Sequence, residues 1–208
     1  MKSELQIKGA PPEGNATRDY FGRSAAAIAA LAEDAHIVWR MAEGIYQAQL
    51  ANKKILVGGN GGSCADAEHF VGELTCTYKA RSRRAFSAVS LTANASAITA
   101  WSNDFGFESY FVRQVEALGQ PGDILFLITT GGGDRSNGAS MNLVQAAEKA
   151  MEIGLKVYAI AGKTGGELSR MAHEFIKVKS FTTSHIQEGH IAILHAICEC
   201  LDELSGAK

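Results

Sequence analysis

From residue 17 onward, apolar side chains recur every three to four positions: Phe21, Ala25, Ile28 and Leu31, then Ile37, Met41, Ile45, with Trp39 and Leu50 beside them. This spacing predicts helix from Thr17 to roughly Gln49, interrupted at Glu33 and Asp34. After residue 54 the pattern changes to short apolar runs of strand length at 55–57, 85–89, 124–128, 157–160 and 175–178. Helical stretches separate them: Ser63 to Leu74, Asn94 to Leu118 with a split near residues 104–106, Ser140 to Ile153, Gly166 to Ala172, and a closing helix from His185 to Leu204. Strands alternating with helices imply right-handed crossovers and a parallel sheet. The runs are apolar throughout, as in strands covered on both faces. The expected fold is therefore α/β: a single domain with a five-stranded parallel sheet flanked by helices and an N-terminal helical extension. Residues 1–16, with Pro11, Pro12 and Gly14, read as a loose lead, and residues 17–208 as the domain. No internal repeat or linker interrupts it.

Composition narrows the function classes. Of the 208 residues, 46% are hydrophobic and 20% charged, which describes a globular chain and not a disordered one. The formal charge of -2 argues against nucleic acid as a partner. No apolar run is long enough to span a membrane, and the charged N-terminus lacks a signal-peptide core, so the expected compartment is the cytoplasm. Cys64, Cys76, Cys198 and Cys200 form no C-x-x-C motif. Cys198 and Cys200 would point about 200° apart on a helix, so buried reduced thiols are expected for most of the four.

In a parallel sheet, ligands collect beyond the carboxyl ends of the strands. Three such ends are rich in glycine and hydroxyls: Gly58 to Ser63, Thr129 to Ser140, and Gly162 to Gly166. None carries a nucleotide-loop motif. Each is either a tight turn or a place where free amides and a helix dipole hold an anion. His69 and Glu73, four apart, share one helix face and either bond each other or share a metal or substrate. On the last helix Gln187 and His195 can border one pocket, and His190, amid Ile186, Ile191 and Ile193, reads as a core histidine. The basic run Lys79 to Arg84, with Arg81, Arg83 and Arg84, is expected to be a solvated loop; the alternative is contact with substrate or a neighbouring subunit.

Asn60-Gly61-Gly62-Ser63, then Asp66, His69 and Glu73, then Asn103-Asp104-Phe105-Gly106, and Gln187-Glu188-Gly189-His190 with His195 together resemble the phosphoheptose isomerase family, built on the sugar-isomerase (SIS) domain. The resemblance runs from about residue 17 to residue 204. It implies a ketose–aldose isomerase converting sedoheptulose 7-phosphate, a phosphorylated seven-carbon sugar, into D-glycero-D-manno-heptose 7-phosphate. That product is the entry to heptose for bacterial surface polysaccharide, in lipopolysaccharide or capsule. It further implies a homotetramer with active sites between subunits. By position, His69, Glu73, Gln187 and His195 would bind one zinc ion (Zn2+). Asn60, Gly61, Gly62, Ser63, Glu73, Asn103, Asp104 and Gln187 would contact substrate. Glu73 would be the general base and His195 its acid/base partner, with carboxylate and imidazole on opposite sides of the reacting carbons.

The sequence departs from the family in the loop after the third strand, which there reads Ser-Thr-Ser-Gly-Asn-Ser and grips phosphate. Here Thr129 and Thr130 stand for its start and Ser140 for its last serine, with Gly131 or Asn137 in the middle and several added residues. That change is the feature favouring two rivals, a non-catalytic SIS-domain protein that binds partners and a sugar-phosphate sensor. The presence of both Glu73 and His195 favours catalysis.

Overall fold

The computed structural model describes residues 15–207. The N-terminal lead expected at residues 1–16 falls almost wholly outside them. Helix α1 (Ala16–Ala29) starts where the Asn15 side chain accepts a hydrogen bond from the Arg18 amide at 2.9 Å. A 3-10 turn, Ala30–Asp34, separates it from α2 (Ala35–Leu50), at the break predicted from Glu33 and Asp34. The chain then alternates β1 (Ile55–Gly59), α3 (Gly62–Thr75), β2 (Ala88–Ser90), α4 (Ala95–Phe105), α5 (Tyr110–Leu118), β3 (Ile124–Ile128), α6 (Met141–Ile153), β4 (Lys156–Ala161), α7 (Leu168–Met171), β5 (Glu174–Lys177) and α8 (Thr183–Leu204).

All five strands are parallel, in the order β2-β1-β3-β4-β5. The period-two alternation of a strand divides the core in two. Ile55, Val57, Ile124, Phe126, Ile128, Tyr158 and Ile160 meet the layer formed by α2, α3 and α8; Leu56, Leu125, Leu127, Val157 and Ala159 meet α5 and α6 on the other face. Burying one such leucine or phenylalanine contributes roughly 1.5–3 kcal/mol, and both faces of every central strand do so. β2 is shorter than the predicted 85–89 run. The Phe86 amide bonds the carbonyl of Leu74 and the Ser87 amide bonds the Gln49 side chain, so ladder pairing with β1 begins only at Ala88.

Because β2 and β3 lie on opposite sides of β1, the crossovers diverge between β1 and β3. This switch point opens a crevice at the strands' carboxyl ends. The loops after β1 and β3 border it.

Candidate active site

The loop after β1 turns into α3 at Gly61, whose φ of +57° lies in the left-handed region. The Ser63 amide bonds the Asn60 carbonyl at 3.1 Å, and a Cβ at Gly59 would stand 2.5 Å from the Ser63 carbonyl oxygen, so only glycine permits this closure. Asn60 and Asn142 exchange side-chain hydrogen bonds in both directions, each at 3.0 Å. That pair ties the first loop to the start of α6. Nothing marks Asn142 in the sequence beyond its place in the first turn of a helix. A Cβ at Gly62 would come within 2.3 Å of the Gln187 amide, so the missing side chain lets α3 and α8 approach.

In the loop after β3, the buried Thr129 hydroxyl accepts from the amides of Gly131 and Gly132, which turns it toward its own loop. The amides of Glu167 and Leu168 bond the carbonyls of Gly133 and Gly132, stitching this loop to the one after β4. Asp134 accepts from the Ser136 hydroxyl and amide and the Asn137 side chain, which hold its carboxyl below the usual range. Ser140, at φ +52°, lines a cavity of about 430 Å³ together with Lys163, Thr164 and Arg170. Thr130 is half-buried, with its hydroxyl unbonded among the described residues.

Helices α3 and α8 run parallel in near-constant register, Gly62 meeting Gln187 and His69 meeting His195. His69 Nε2 lies 3.2 Å from Glu73 Oε1 and 3.5 Å from His195 Nε2, and the donor atoms of all three side chains fall within 4.8 Å of one another. Tyr78 stacks on His195 with ring centroids 5.8 Å apart. The triad sits about 10 Å along α3 from the glycine loop, by helical rise, with the His69 side chain 45% exposed. Its atoms are too close together for a carbon skeleton to lie between carboxylate and imidazole, so the two groups would meet a substrate from one side. Gln187 stands two turns further up α8, against Gly62, and Asn103 and Asp104 bond each other at the end of α4.

Other expectations resolve unevenly. His190 is fully buried, as a core histidine should be. All four cysteines are free, but only Cys198 is buried, because the other three fall near helix ends or on outward faces. Arg83 departs from the solvated-loop expectation. It is 7% exposed and bonds the Asp202 carboxylate at 2.7 Å, the Glu73 carbonyl at 2.6 Å and the Leu74 carbonyl at 3.2 Å. It therefore fixes the end of α3, Glu73 included, to α8. Asp66, one turn before His69, has a buried Oδ2 without a partner, and burial raises its carboxyl despite the opposing pull of His69.

The SIS domain family model matches residues 19–162. A phosphoheptose isomerase of Helicobacter pylori (strain P12) is 44% identical over 149 residues, 72% of this chain and 74% of the relative. The chain belongs to the phosphoheptose isomerase family. Solved structures agree with that membership. A phosphoheptose isomerase from Francisella tularensis superposes with a TM-score of 0.82 at 33% identity, over 90% of this chain and 96% of that one. Another from Neisseria gonorrhoeae gives 0.80 at 36% identity, over 89% and 97%.

The triad fits the zinc ion expected from the sequence. A tetrahedral zinc with bonds of about 2.0–2.1 Å spaces its ligand atoms about 3.3 Å apart. The 3.2 and 3.5 Å separations match that spacing. A single His69 Nε2 cannot donate to Glu73 and also to His195, whereas a cation between them satisfies all three atoms.

Proposed function

We propose that this chain is an aldose–ketose isomerase that converts sedoheptulose 7-phosphate to D-glycero-D-manno-heptose 7-phosphate, with Glu73 and His195 as its proton-transfer groups. The observation that carries the reading is the convergence of a carboxylate and an imidazole, from helices far apart in sequence, on one partly exposed cluster. Isomerisation removes a proton from the carbon beside the carbonyl and returns one to its neighbour through an enediol, with no net gain or loss of atoms. Glu73 takes the carbon-bound proton and delivers it to the adjacent carbon. His195 gives a proton to the carbonyl oxygen and recovers one from the neighbouring hydroxyl. Arg83, through the Glu73 carbonyl, and Tyr78, through its stacking on His195, hold both groups in position.

His69, Glu73 and His195 would hold one zinc ion, which when bound supplies Lewis-acid polarisation of the carbonyl. A metal-held carboxylate is a weak base, so Glu73 works best when its second oxygen is free to reach the carbon. Gln187 would join a metal only by leaving Gly62; against that loop it is placed to bind a sugar hydroxyl. Gly61, Gly62 and Ser63 line the same approach, and Thr130, Ser140 and the cavity beyond β3 would receive the phosphate.

The exposure of His69 supports a homotetramer in which a second subunit covers each site and excludes water. Exposed Phe21, Trp39, Phe105 and Phe181 supply apolar surface for such contacts. No described helix is long and apolar enough to cross a membrane, consistent with work in the cytoplasm on heptose for lipopolysaccharide or capsule. The partner-binding and sensor readings have no use for the Glu73–His195 pair. Incubating purified protein with sedoheptulose 7-phosphate and following aldose formation, with and without chelator, tests the proposal. Absence of turnover in zinc-loaded protein would overturn it.

A further inference from the structure

A cavity of about 500 Å³ lies between α2 and the amino ends of the central strands. Ile124 and Lys156, which line it, are the first residues of β3 and β4, so it opens at the edge of the sheet opposite the substrate loops. Ile124 and Thr129 are five residues apart along the chain, about 16 Å at strand rise, and that length separates the two places. The stripe of α2 that faces this edge carries Gly44 and Ala48, with Ala51 following the helix, and these small residues leave the gap above Ile124 unfilled. The sign of a ligand is Tyr158. It is only 3% exposed, yet its hydroxyl makes no hydrogen bond among the described residues. The oxygen is not sealed in, as the unpaired nitrogens of His190 are. It keeps accessible surface at the cavity wall, where a Cβ on Gly44 would stand 2.0 Å from it. Burial pushes this phenol up to about 12, so it remains a hydrogen-bond donor at neutral pH.

Charge narrows the ligand. Glu174 is committed to Arg40, which donates to its two oxygens at 2.9 Å each. Lys53 and Lys156 form no ion pair among the described residues, and the stem of Lys53 lies over Gly122, whose missing side chain makes room for it. Against these two ammonium groups the lining sets one uncommitted carboxylate, that of the exposed Glu43. We propose that this cavity binds a small aryl anion, a flat ring bearing one acidic group. Its ring would lie against Ala48, Ala51 and Ile124, an acceptor atom on the Tyr158 hydroxyl, and the acidic group on Lys53 and Lys156. An apolar wall with a few convergent polar groups is the usual make-up of a small-molecule site, and the volume is of the usual size. Neither the triad nor the loops after β1 and β3 contribute a lining residue, so the site stands apart from the isomerase reading.

Calorimetric titration of the full-length protein with naphthoate, a flat ring carrying one carboxylate, tests this. Wild-type protein should bind it saturably at one site per chain. Naphthalenemethanol, which keeps the ring and lacks the charge, and acetate, which keeps the charge and lacks the ring, should each bind at least about tenfold more weakly. Lys156→Gln, a change at an exposed position, should raise the Kd for naphthoate about tenfold with turnover unchanged. Tyr158→Phe, which removes only the unpaired hydroxyl, should raise it about three- to tenfold, the worth of one hydrogen bond. Ala51→Trp fills the mouth and should abolish binding, whereas Ser140→Ala, beside the substrate loops, should leave it in place. No saturable binding, equal binding of the uncharged ring, binding that survives both Lys156→Gln and Ala51→Trp undiminished, or binding that Ser140→Ala abolishes would each overturn the proposal. If Tyr158→Phe fails to fold, the two surface variants decide.

Discussion

The Nε2 atoms of His69 and His195 stand 3.5 Å apart although 126 residues separate them in the chain. Two basic nitrogens come this close in a stable arrangement only if one donates to the other or if a cation sits between them. Equilibrium dialysis should therefore find one zinc per chain in wild-type protein. His69→Ala should weaken zinc binding by more than about tenfold, the lower bound for even an outer-shell change. Unaltered zinc affinity in that variant would remove His69 from the ligand set.

Glu73→Gln keeps the shape of the side chain and removes its basicity. Turnover should fall by about a hundred- to ten-thousand-fold, with circular dichroism and assembly unchanged. Deuterium exchange into substrate from solvent should be lost in parallel, because that exchange reports removal of the carbon-bound proton. Near-normal exchange would assign the base elsewhere.

Thr130 and Ser140 differ from Thr129, whose hydroxyl already serves its own loop. Thr130→Ala and Ser140→Ala should each raise KM more than they lower kcat, as loss of a contact made equally in ground and transition states does. Thr129→Ala should instead lower stability through the freed Gly131 and Gly132 amides. An unchanged KM in both of the first two variants would locate the phosphate outside this loop.

Arg83 and Asp202 form a buried pair at 2.7 Å, and Asp202 also accepts from the amides of Lys79 and Ala80. Asp202→Asn leaves the guanidinium buried without its counter-charge, which should cost about 3 kcal/mol in chemical denaturation. Because Arg83 also bonds the Glu73 carbonyl, kcat should fall in the surviving folded fraction. A variant of wild-type stability would show that the pair contributes little.

Burial pushes the His190 imidazole down to about 4, and only a weak backbone contact with Ala161 opposes the drop. The unfolded chain binds this proton near 6.5 and the folded chain only near 4, so the unfolded state holds more protons between those values. The fold keeps its full stability above about pH 6.5 and loses about 3 kcal/mol from this group as the pH falls toward 4. Urea unfolding at pH 7.5 and at pH 4.5 measures the loss, and His190→Leu should remove most of it. Equal pH dependence in that variant would assign the acid sensitivity to other groups.

Much of the architecture was legible in the sequence because it follows from local periodicity. The apolar run Ile124 to Ile128 admits only a strand covered on both faces, and the 3.6-residue spacing after Thr17 admits only helix. Predicted and observed bounds differ most at β2, where a tertiary bond from the Phe86 amide to Leu74 shortens the strand. Within the site, the His69–Glu73 pairing was readable from their four-residue spacing. The roles of Asn142 and Arg83 were not. An asparagine in a first helical turn and an arginine in a basic run are ordinary features until a partner 82 or 119 residues away fixes them.

The order of elements, the two-sided burial of the sheet and the glycine turns at its carboxyl edge were determined by sequence alone, since each depends on residues adjacent along the chain. The meeting of His195 with His69, the capture of Arg83 by Asp202 and the approach of Tyr158 to Gly44 were decided only by the tertiary structure. Each depends on the register in which α2, α3 and α8 pack, and that register is set by side-chain interlocking across the core, which no local pattern encodes.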